Sequence, residues 1–298
     1  MILVQLIGGQ PLPNLLPPLH LKPATTILVY TPQTELIKQR LEALLRDSSL
    51  QSDSICCDAY DIPAITEALD NKLSNYNEDL VFNLTGGTKA MVLAANQIAA
   101  RKQADLVYLE SERGQSVLYT YSYDEQSNLR SKERKILPEL VSIDQFLDAH
   151  IGKGQWQATG PSKDTGGLFE QAVAKALKGL PNAEIKQGVR FLGSGNRPQA
   201  DIDIVVRCGN QFARIECKSG GKITTLDAAK QLNLVTELLG TYTRKFIALT
   251  GKPNDDHLAV YEATRTTVIE LSSFDGTHLS DADKTKLVGV IKQALSCA

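Results

Sequence analysis

One stretch of sequence decides the fold of the second half of this chain: Pro198-Gln-Ala-Asp-Ile-Asp-Ile-Val-Val-Arg-Cys-Gly-Asn-Gln-Phe-Ala-Arg-Ile-Glu-Cys-Lys-Ser219. Charged and apolar residues alternate in its two arms, and Gly209-Asn210 between them is a good two-residue hairpin turn. With this turn, the numbers of opposite residues sum to 419, so Asp203 lies opposite Glu216. Cross-strand partners have Cβ atoms roughly 5 Å apart on the same side of the sheet. The stretch therefore predicts a β-hairpin with two carboxylates facing each other.

The facing carboxylates indicate a metal site. Two negative charges at this distance repel, and a divalent cation held between them turns that repulsion into binding energy. The same register places Asp201 opposite Lys218, which we interpret as a cross-strand ion pair rather than as part of the metal site. Strand parity turns the side chain of Cys217 to the opposite face, where we expect it in the core. A purely structural hairpin, stabilised by the ion pair, remains the alternative.

Phosphodiester hydrolysis needs the groups that this face offers. The reaction requires a metal that neutralises the phosphate, an activated water and a group that orients this water. Asp203 and Glu216 are the candidate metal ligands, and the backbone carbonyl of Cys217 can add a further ligand. Lys218 is the candidate that orients the water and stabilises negative charge. Glu170, on a predicted helix before the hairpin, is the fourth candidate catalytic residue and a further candidate metal ligand.

Length and composition predict a soluble protein of two domains. At 298 residues the chain exceeds what one core usually serves, so we place domains at residues 1–150 and 168–298, joined by a glycine-containing linker at 151–167. The composition, 42% hydrophobic and 22% charged, is ordinary for a globular protein. We see no export signal and no membrane-length apolar run, and therefore expect a cytoplasmic protein without a membrane partner. The odd count of five cysteines then predicts reduced thiols.

The two halves differ in charge. Residues 1–150 carry 13 basic and 19 acidic side chains, whereas residues 151–298 carry 19 and 15. Within the second half, residues 186–252 hold 11 Lys or Arg against five Asp or Glu. A polyanion such as nucleic acid therefore suits the second half, although a solvated surface of mixed charge gives the same counts.

Strand-like and helix-like segments alternate in both halves, which predicts the α/β fold class. Apolar strands between amphipathic helices predict a Rossmann-like first domain with a mostly parallel sheet. Its predicted strands are Ile2–Ile7, Thr26–Tyr30, Ser54–Tyr60, Leu80–Leu84, Leu106–Leu109 and Val117–Tyr123, and its predicted helices are Gln33–Arg46, Pro63–Asn75 and Thr88–Lys102. The second domain is expected to be α/β/α, with helices Leu168–Leu180, Leu226–Leu239 and Ala282–Leu295 and strands Ile185–Phe191, Ala200–Val206, Phe212–Lys218 and Lys245–Thr250.

A second motif runs from a buried strand into a helix: Leu80-Val-Phe-Asn-Leu-Thr-Gly-Gly-Thr-Lys89. Its glycines allow close backbone approach, and the free N–H groups and dipole of the helix favour an anion there. The hydroxyls of Thr85 and Thr88 and the charge of Lys89 add to this phosphate cradle. The spacing matches neither a dinucleotide motif nor an ATP motif. An ordinary strand-to-helix turn with Thr88 as N-cap is equally compatible with the pattern.

The second half resembles the PD-(D/E)xK nuclease superfamily, whose core is a helix bearing Glu, a hairpin carrying D…ExK and a further helix. The corresponding parts of this chain are Glu170, Asp203, Glu216-Cys-Lys218 and Leu226–Leu239, and Gln231 is a weak match to a glutamine on that last helix. The resemblance implies a restriction-endonuclease-like domain that uses Mn²⁺ or Mg²⁺ to hydrolyse phosphodiesters.

The first half resembles the CRISPR-associated Rossmann-fold (CARF) domain through Gly9-Gln-Pro-Leu-Pro-Asn14 and Asn83-Leu-Thr-Gly-Gly-Thr-Lys-Ala-Met91. Gly166-Gly-Leu-Phe-Glu170 and Glu216-Cys-Lys218 match the subfamily that fuses this domain to the nuclease, so the resemblance covers essentially the whole chain. It implies a homodimer that binds a cyclic oligoadenylate made by type III CRISPR complexes, with cyclic tetra-adenylate favoured over cyclic hexa-adenylate. The residues implied to line that site are Gln10, Asn14, Thr85, Gly86, Gly87, Thr88 and Lys89, with Glu110 a weaker candidate.

These resemblances imply an endonuclease of antiviral defence that a cyclic oligoadenylate switches on. Its expected substrate is single-stranded RNA or DNA, with nicking of duplex DNA as a further activity. Two alternatives stay open. An unregulated restriction or repair nuclease would cut without any messenger, and a non-catalytic nucleotide-sensing module would not cut with any metal.

Overall fold

The computed structural model describes residues 1–192, 198–219 and 238–297 of the chain. The chain divides into two units, one formed by Met1–Leu140 with Asp148–His150 and the other by Val141–Leu147 with Ile151–Ala298. The first unit includes His150, the residue at which we placed the boundary, whereas Val141–Leu147 before it belongs to the second unit. The expected linker at 151–167 contains a strand and the start of a helix, so it is not a free connector.

The first unit contains a seven-stranded sheet in the order β3-β2-β1-β4-β5-β6-β7. The strands are β1 (Ile2–Leu6), β2 (Thr25–Tyr30), β3 (Ser52–Cys56), β4 (Leu80–Asn83), β5 (Asp105–Glu112), β6 (Gln115–Tyr123) and β7 (Leu129–Ile136). The helices are α1 (Leu12–Leu21), α2 (Glu35–Asp47), α3 (Ile62–Leu73) and α4 (Lys89–Lys102). The first five strands are parallel and β6 and β7 are antiparallel, which agrees with the predicted Rossmann-like arrangement.

The central strand β1 is buried along its whole length. One set of its side chains, including Val4 and Leu6, packs with Met91 and Ile98 of α4. From β1 the chain passes through α1 to β2 on one side, whereas β4 lies on the other side of β1. In open α/β sheets, the crevice at such a reversal of strand order is where ligands bind. The loops that follow β1 and β4 leave the sheet at this crevice.

The second unit contains a six-stranded sheet in the order β13-β12-β11-β10-β9-β8. The strands are β8 (Trp156–Ala158), β9 (Ala183–Leu192), β10 (Pro198–Cys208), β11 (Gln211–Lys218), β12 (Arg244–Leu249) and β13 (Thr266–Glu270). Strands β8 to β11 are antiparallel, and β11 to β13 are parallel. The helices are α5 (Ile143–His150, which spans the division between the units), α6 (Thr165–Leu177), α7 (Asp255–Ala263) and α8 (Asp281–Leu295).

Helices cover both faces of this second sheet. Phe169 of α6 and Leu287 of α8 pack on the face that carries Ile215 and Cys217. Tyr261 of α7 packs on Ile247 and Leu249 of β12, which point to the other face. The predicted helix Leu226–Leu239, with Gln231, lies almost wholly outside the described residues. Within the described ranges, none of the helices has the length and apolarity that crossing a bilayer requires.

The prediction that all five cysteines are reduced is wrong. Cys208 at the end of β10 and Cys297 after α8 form a disulfide, with Cα atoms 5.3 Å apart. The two residues are separated by 89 positions, so their proximity depends on the packing of α8 and is not visible in the cysteine spacing. Cys56, Cys57 and Cys217 are free thiols.

Candidate functional site

The hairpin forms in the predicted register. Ile204 pairs with Ile215, and the ladder continues in step to Cys208 and Gln211. Residues 209 and 210 make the turn, and Gly209 has a φ of +57°. A positive φ at the first central residue is what a type II′ hairpin turn requires, and glycine adopts it without strain. The hairpin therefore carries its charged side chains on one face, as expected.

Asp203 lies one residue beyond Ile204, where the pairing of β10 with β11 ends, although β10 continues to pair with β9. Its Oδ2 accepts a hydrogen bond of 2.6 Å from the backbone N–H of Cys217, which brings the carboxylate to β11 beside Glu216. The pKa of Asp203 rises from 3.8 to about 8, chiefly because of burial and then because of the negative charge of Glu216. The hydrogen bond from Cys217 opposes this rise. The repulsion predicted for the two carboxylates is therefore present in the folded protein.

Lys218 binds Glu216 directly. Its Nζ lies 2.6 Å from Oε1 of Glu216, so the two ends of the Glu-Cys-Lys motif form an ion pair on one strand. Burial lowers the pKa of Lys218, but the charges of Glu216, Asp203 and Asp201 raise it by more, and the net shift is upward. The ammonium group thus stays charged among three carboxylates. We expected an ion pair between Lys218 and Asp201, whereas the ion pair of Lys218 is with Glu216 and Asp201 adds its negative charge to the surroundings.

Glu170 lies on α6, on a helix that the sequence placed there correctly. It is half-buried, and its pKa is raised by burial first and by the charge of Glu216 next, so its carboxyl group lies within the electrostatic reach of the hairpin. In the described part of the chain, however, no three His, Cys, Asp or Glu side chains come together in a group that could hold a metal ion. Asp203, Glu216 and Glu170 thus affect one another's charge without forming a three-residue metal group.

The donor set can be tested against Mg²⁺ or Mn²⁺. Hard oxygen ligands suit these ions, and Mg²⁺ is usually held by one or two carboxylates while it keeps several waters. Asp203 and Glu216 provide such a pair, and a cation between them would relieve the repulsion that raises the pKa of Asp203. The residues present therefore fit the metal. The Cys217 side chain is buried in the core, and burial raises the pKa of its thiol far above 9.0, which agrees with its assignment as a core residue.

In the first unit, the loops after β1 and β4 contact each other. A Cβ atom on Gly8 would lie 3.1 Å from the backbone N of Gly87. A Cβ atom on Gly86 would lie only 2.2 Å from the carbonyl oxygen of Leu6, and Gly87 has a φ of +76°. No larger residue fits at Gly86 without moving the backbone of β1. Gly86 and Gly87 are thus both required for the close approach of the two loops.

Helix α4 begins at this junction. Thr88 is its N-cap, because Thr88 Oγ1 accepts a hydrogen bond of 3.2 Å from the N–H of Met91. The same hydroxyl donates to the carbonyl of Ala59 at 2.5 Å. Lys89, the first residue of the helix, is exposed. Thr88 is therefore the cap that the simpler interpretation expected, and the helix end next to Lys89 still has the dipole and N–H groups that favour an anion.

A buried network of polar side chains supports the junction. Asn83 Nδ2 donates to Gln5 Oε1 at 2.5 Å, and Asn14 Nδ2 donates to the carbonyl of Leu6 at 3.0 Å. Thr85 Oγ1 donates to Asn83 Oδ1 at 2.6 Å and accepts from the N–H of Leu109 at 2.8 Å. Asn14 and Thr85 thus hold the two loops in place.

The oxygen Oδ1 of Asn14 is buried and has no hydrogen-bond partner, and it lies 3.0 Å from where a Cβ on Gly86 would be. Of the other predicted residues, Gln10 is partly exposed in the loop after β1, and Glu110 is exposed on β5. Gln5 and Asn83 were not predicted as site residues. The only signal for them was a polar residue within each of two otherwise apolar strands.

Tyr261 was also missed in the second unit. Its side chain packs on the register partners of Glu216 and Lys218, and its hydroxyl is buried without a hydrogen-bond partner. Nothing in the sequence around Tyr261 links it to the hairpin, because it enters this face from α7.

Residues 2–137 match the sequence model of a family described as the Card1 CARF domain. Can2 from Sulfobacillus thermosulfidooxidans, solved in complex with cyclic tetra-adenylate, is similar in fold with a TM-score of 0.77 at 16% identity, over 98% of this chain and 99% of that chain. Protein VC1899 from Vibrio cholerae has a TM-score of 0.74 at 15% identity, over 98% of both chains. A type III CRISPR defence DNA nuclease activated by cyclic oligoadenylate has a TM-score of 0.62 at 16% identity, over 97% of this chain and 51% of its own. No curated protein matches the chain in sequence.

Proposed function

From the match of residues 2–137 to the Card1 CARF domain, we propose that this protein is a metal-dependent endonuclease of type III CRISPR defence that a cyclic oligoadenylate activates. That match is the observation that carries the proposal. The fold shared with Can2, which was solved with cyclic tetra-adenylate, supports the same ligand class and favours the ring of four adenylates over that of six. The shared fold extends over nearly the whole chain and therefore includes the second unit.

The messenger site is proposed at the junction of the β1 and β4 loops. A phosphate of the ring would lie at the N-terminus of α4, where Lys89 and backbone N–H groups favour an anion. Gln10, Gly86, Gly87 and Thr88 would line the approach. Asn14 and Thr85 would act from beneath, since their side chains are engaged in the supporting network. The first half carries a net negative charge, so affinity must come from these local groups rather than from bulk attraction.

A homodimer follows from the symmetry of the messenger. A two-fold symmetric ring presents the same chemistry on opposite sides, and the same loops of two subunits can bind it across an isologous interface. The messenger activates only to the extent that it binds the active arrangement better than the inactive one. Closing this interface between the two subunits is the proposed switch.

Cleavage is proposed at the hairpin of the second unit. A bound Mg²⁺ or Mn²⁺ would neutralise the phosphate and lower the pKa of a water there. Asp203 and Glu216, with the Cys217 carbonyl, would hold that ion, and Glu170 would act through water or on the substrate. Lys218 stays protonated because the surrounding carboxylates raise its pKa, so it can orient a water and stabilise negative charge on the phosphate. The substrates that we propose are single-stranded RNA and single-stranded DNA, and nicking of duplex DNA is a further proposed activity.

The direct ion pair between Lys218 and Glu216 also supports a second candidate function. In this arrangement the lysine already neutralises one of the two proposed metal ligands. A non-catalytic sensor, whose second unit only binds partners, would keep this ion pair permanently. In the catalytic protein, Glu216 would separate from Lys218 and bind the cation instead.

One experiment separates these candidates. The full chain is incubated with labelled RNA and DNA, with Mn²⁺ or Mg²⁺, and with each cyclic oligoadenylate in turn. The proposed nuclease cuts only with both metal and messenger. An unregulated nuclease cuts with metal alone, and a sensor binds the messenger but leaves every substrate intact.

A further inference from the structure

Tyr60 is an exposed aromatic side chain beside the proposed messenger site. With 79% of its surface accessible, it is the most exposed large apolar side chain in the described part of the chain. It lies in the loop between β3 and α3, at the carboxyl edge of the sheet where the loops after β1 and β4 also emerge. An aromatic ring in this position has no role in the core of the first unit.

The loop that carries Tyr60 is joined to the proposed phosphate site by a hydrogen bond. The carbonyl of Ala59, the residue before Tyr60, accepts from Thr88 Oγ1 at 2.5 Å. Thr88 caps α4, and Lys89 follows it. Consecutive Cα atoms are about 3.8 Å apart, so the backbone of Tyr60 begins within a few ångströms of this helix end.

The loop is also held in one conformation. Oδ1 of Asp58 accepts the backbone N–H groups of Tyr60 at 2.7 Å and of Asp61 at 2.8 Å. Asp61 in turn caps α3 by accepting the N–H of Ala64 at 3.0 Å. The exposed ring is therefore presented from a fixed backbone, which reduces the entropy lost when a ligand binds.

Charge decides which part of a nucleotide suits this position. Asp58 and Asp61 flank Tyr60, so a phosphate beside the ring would meet two negative charges. The N-terminus of α3 is capped by the carboxylate of Asp61, and this negative charge disfavours an anion at that end. The phosphate is better bound at Lys89, where the charge is positive. A neutral base is the part of the ligand that fits over Tyr60.

We propose that Tyr60 is a base-stacking residue of the messenger site, and that its ring stacks on an adenine of a cyclic oligoadenylate whose phosphate lies at the N-terminus of α4. This inference rests on the proposed function of the first unit and adds the recognition of the base to it. Aromatic rings stack on bases without reading their edges, so Tyr60 supplies affinity and fixes the base, whereas the phosphate contacts fix the register of the ring.

The test is the affinity of the full chain for cyclic tetra-adenylate, measured by calorimetry for Tyr60 variants. Tyr60→Ala is expected to weaken binding about tenfold, within the range known for loss of one stacked base. Tyr60→Phe and Tyr60→Trp keep a stacking ring and are expected to stay within about threefold of the wild type. Tyr60→Leu keeps an apolar side chain without a ring and is expected to bind as weakly as Tyr60→Ala. Tyr242→Ala, at an exposed tyrosine of the second unit, is the matched control and is expected to bind normally.

Salt dependence adds a second measurement. Stacking on a neutral base is insensitive to screening, so the affinity ratio of wild type to Tyr60→Ala stays constant from low to high salt. The corresponding ratio for Lys89→Ala falls as salt rises, because that contact is between charges. Wild-type affinity in Tyr60→Ala, or equal binding by Tyr60→Leu and Tyr60→Phe, overturns the stacking role and leaves the proposed function intact. Failure of the wild type to bind any cyclic oligoadenylate overturns both.

Discussion

The carboxylate of Asp203 accepts a hydrogen bond from the backbone N–H of Cys217 at 2.6 Å, although the two residues belong to different strands. This contact fixes Asp203 beside Glu216, where burial and like charge raise the pKa of Asp203 to about 8. A folded protein that keeps two such carboxylates together without a cation loses stability for it. The contact therefore predicts how stability depends on pH and on metal.

Asp203→Asn is expected to change the pH dependence of stability in metal-free protein. In the unfolded chain Asp203 loses its proton near pH 4, whereas in the folded protein it keeps the proton until about pH 8. The stabilising contribution of protonated Asp203 is fully present below the pKa that Asp203 has in the unfolded chain. This contribution is lost as the pH rises towards the pKa of Asp203 in the folded protein. Thermal unfolding in chelator should thus show the variant gaining stability over the wild type between about pH 5 and about pH 8. Metal should stabilise the wild type only. A pH-independent difference would contradict the shifted pKa.

Lys218→Ala is expected to abolish cleavage while messenger binding stays unchanged. Loss of the group that orients the water and neutralises the phosphate should slow the reaction at least about a hundredfold. Single-turnover cleavage and calorimetry with cyclic tetra-adenylate measure the two properties separately. Lys175→Ala, at an exposed lysine on α6, is the control and should cut normally. A Lys218→Ala protein with near wild-type cleavage would remove the hairpin from the mechanism.

Lys89→Ala is expected to move activation to higher messenger concentration. The exposed ammonium group at the start of α4 contacts the phosphate in our proposal, and its loss should weaken binding about tenfold. Saturating messenger should largely restore cutting, because the nuclease site is untouched. Lys102→Ala at the other end of the same helix provides the control. Unchanged messenger affinity in Lys89→Ala would show that the helix end is not the phosphate site.

Gly86→Ala is expected to lower both stability and messenger affinity. The new methyl group would lie 2.2 Å from the carbonyl oxygen of Leu6, so the β4 loop must move away from β1. Overpacking of this kind typically costs about 1–3 kcal/mol. Gly9→Ala is the control from the neighbouring loop, since no atom lies within 4 Å of its added methyl group. Equal melting temperatures for the two variants would show that the loops are less closely packed than described.

The hairpin could be predicted because its signals are local. Alternation along each arm and one turn dipeptide determine the register from Ile204 and Ile215 to the turn. The position of the Asp203 side chain could not be predicted in this way. Its carboxylate accepts a hydrogen bond from the backbone N–H of Cys217, and residue alternation does not predict that contact. Lys218 forms its ion pair with Glu216 on the same strand rather than with Asp201. That choice of partner depends on side-chain geometry, which the alternation of residues does not determine.

Other elements carry no readable local pattern. Helix α1 contains Pro17 and Pro18, which normally break helices, yet both are buried within it. Strand β7 is exposed along its length and has no apolar face, so period-two alternation cannot reveal it. The contact of Asn83 with Gln5 joins strands that are 78 residues apart. These features depend on tertiary packing.

The most direct test of the proposed function is messenger-dependent cleavage by the wild-type full chain. Labelled single-stranded RNA and DNA and supercoiled duplex are incubated with Mn²⁺, with and without cyclic tetra-adenylate, beside Glu216→Gln as the inactive control. We expect substrate loss only when metal and messenger are both present, and none with Glu216→Gln. Cleavage that is equally fast without messenger, or no cleavage of any substrate although the messenger binds, would contradict the account.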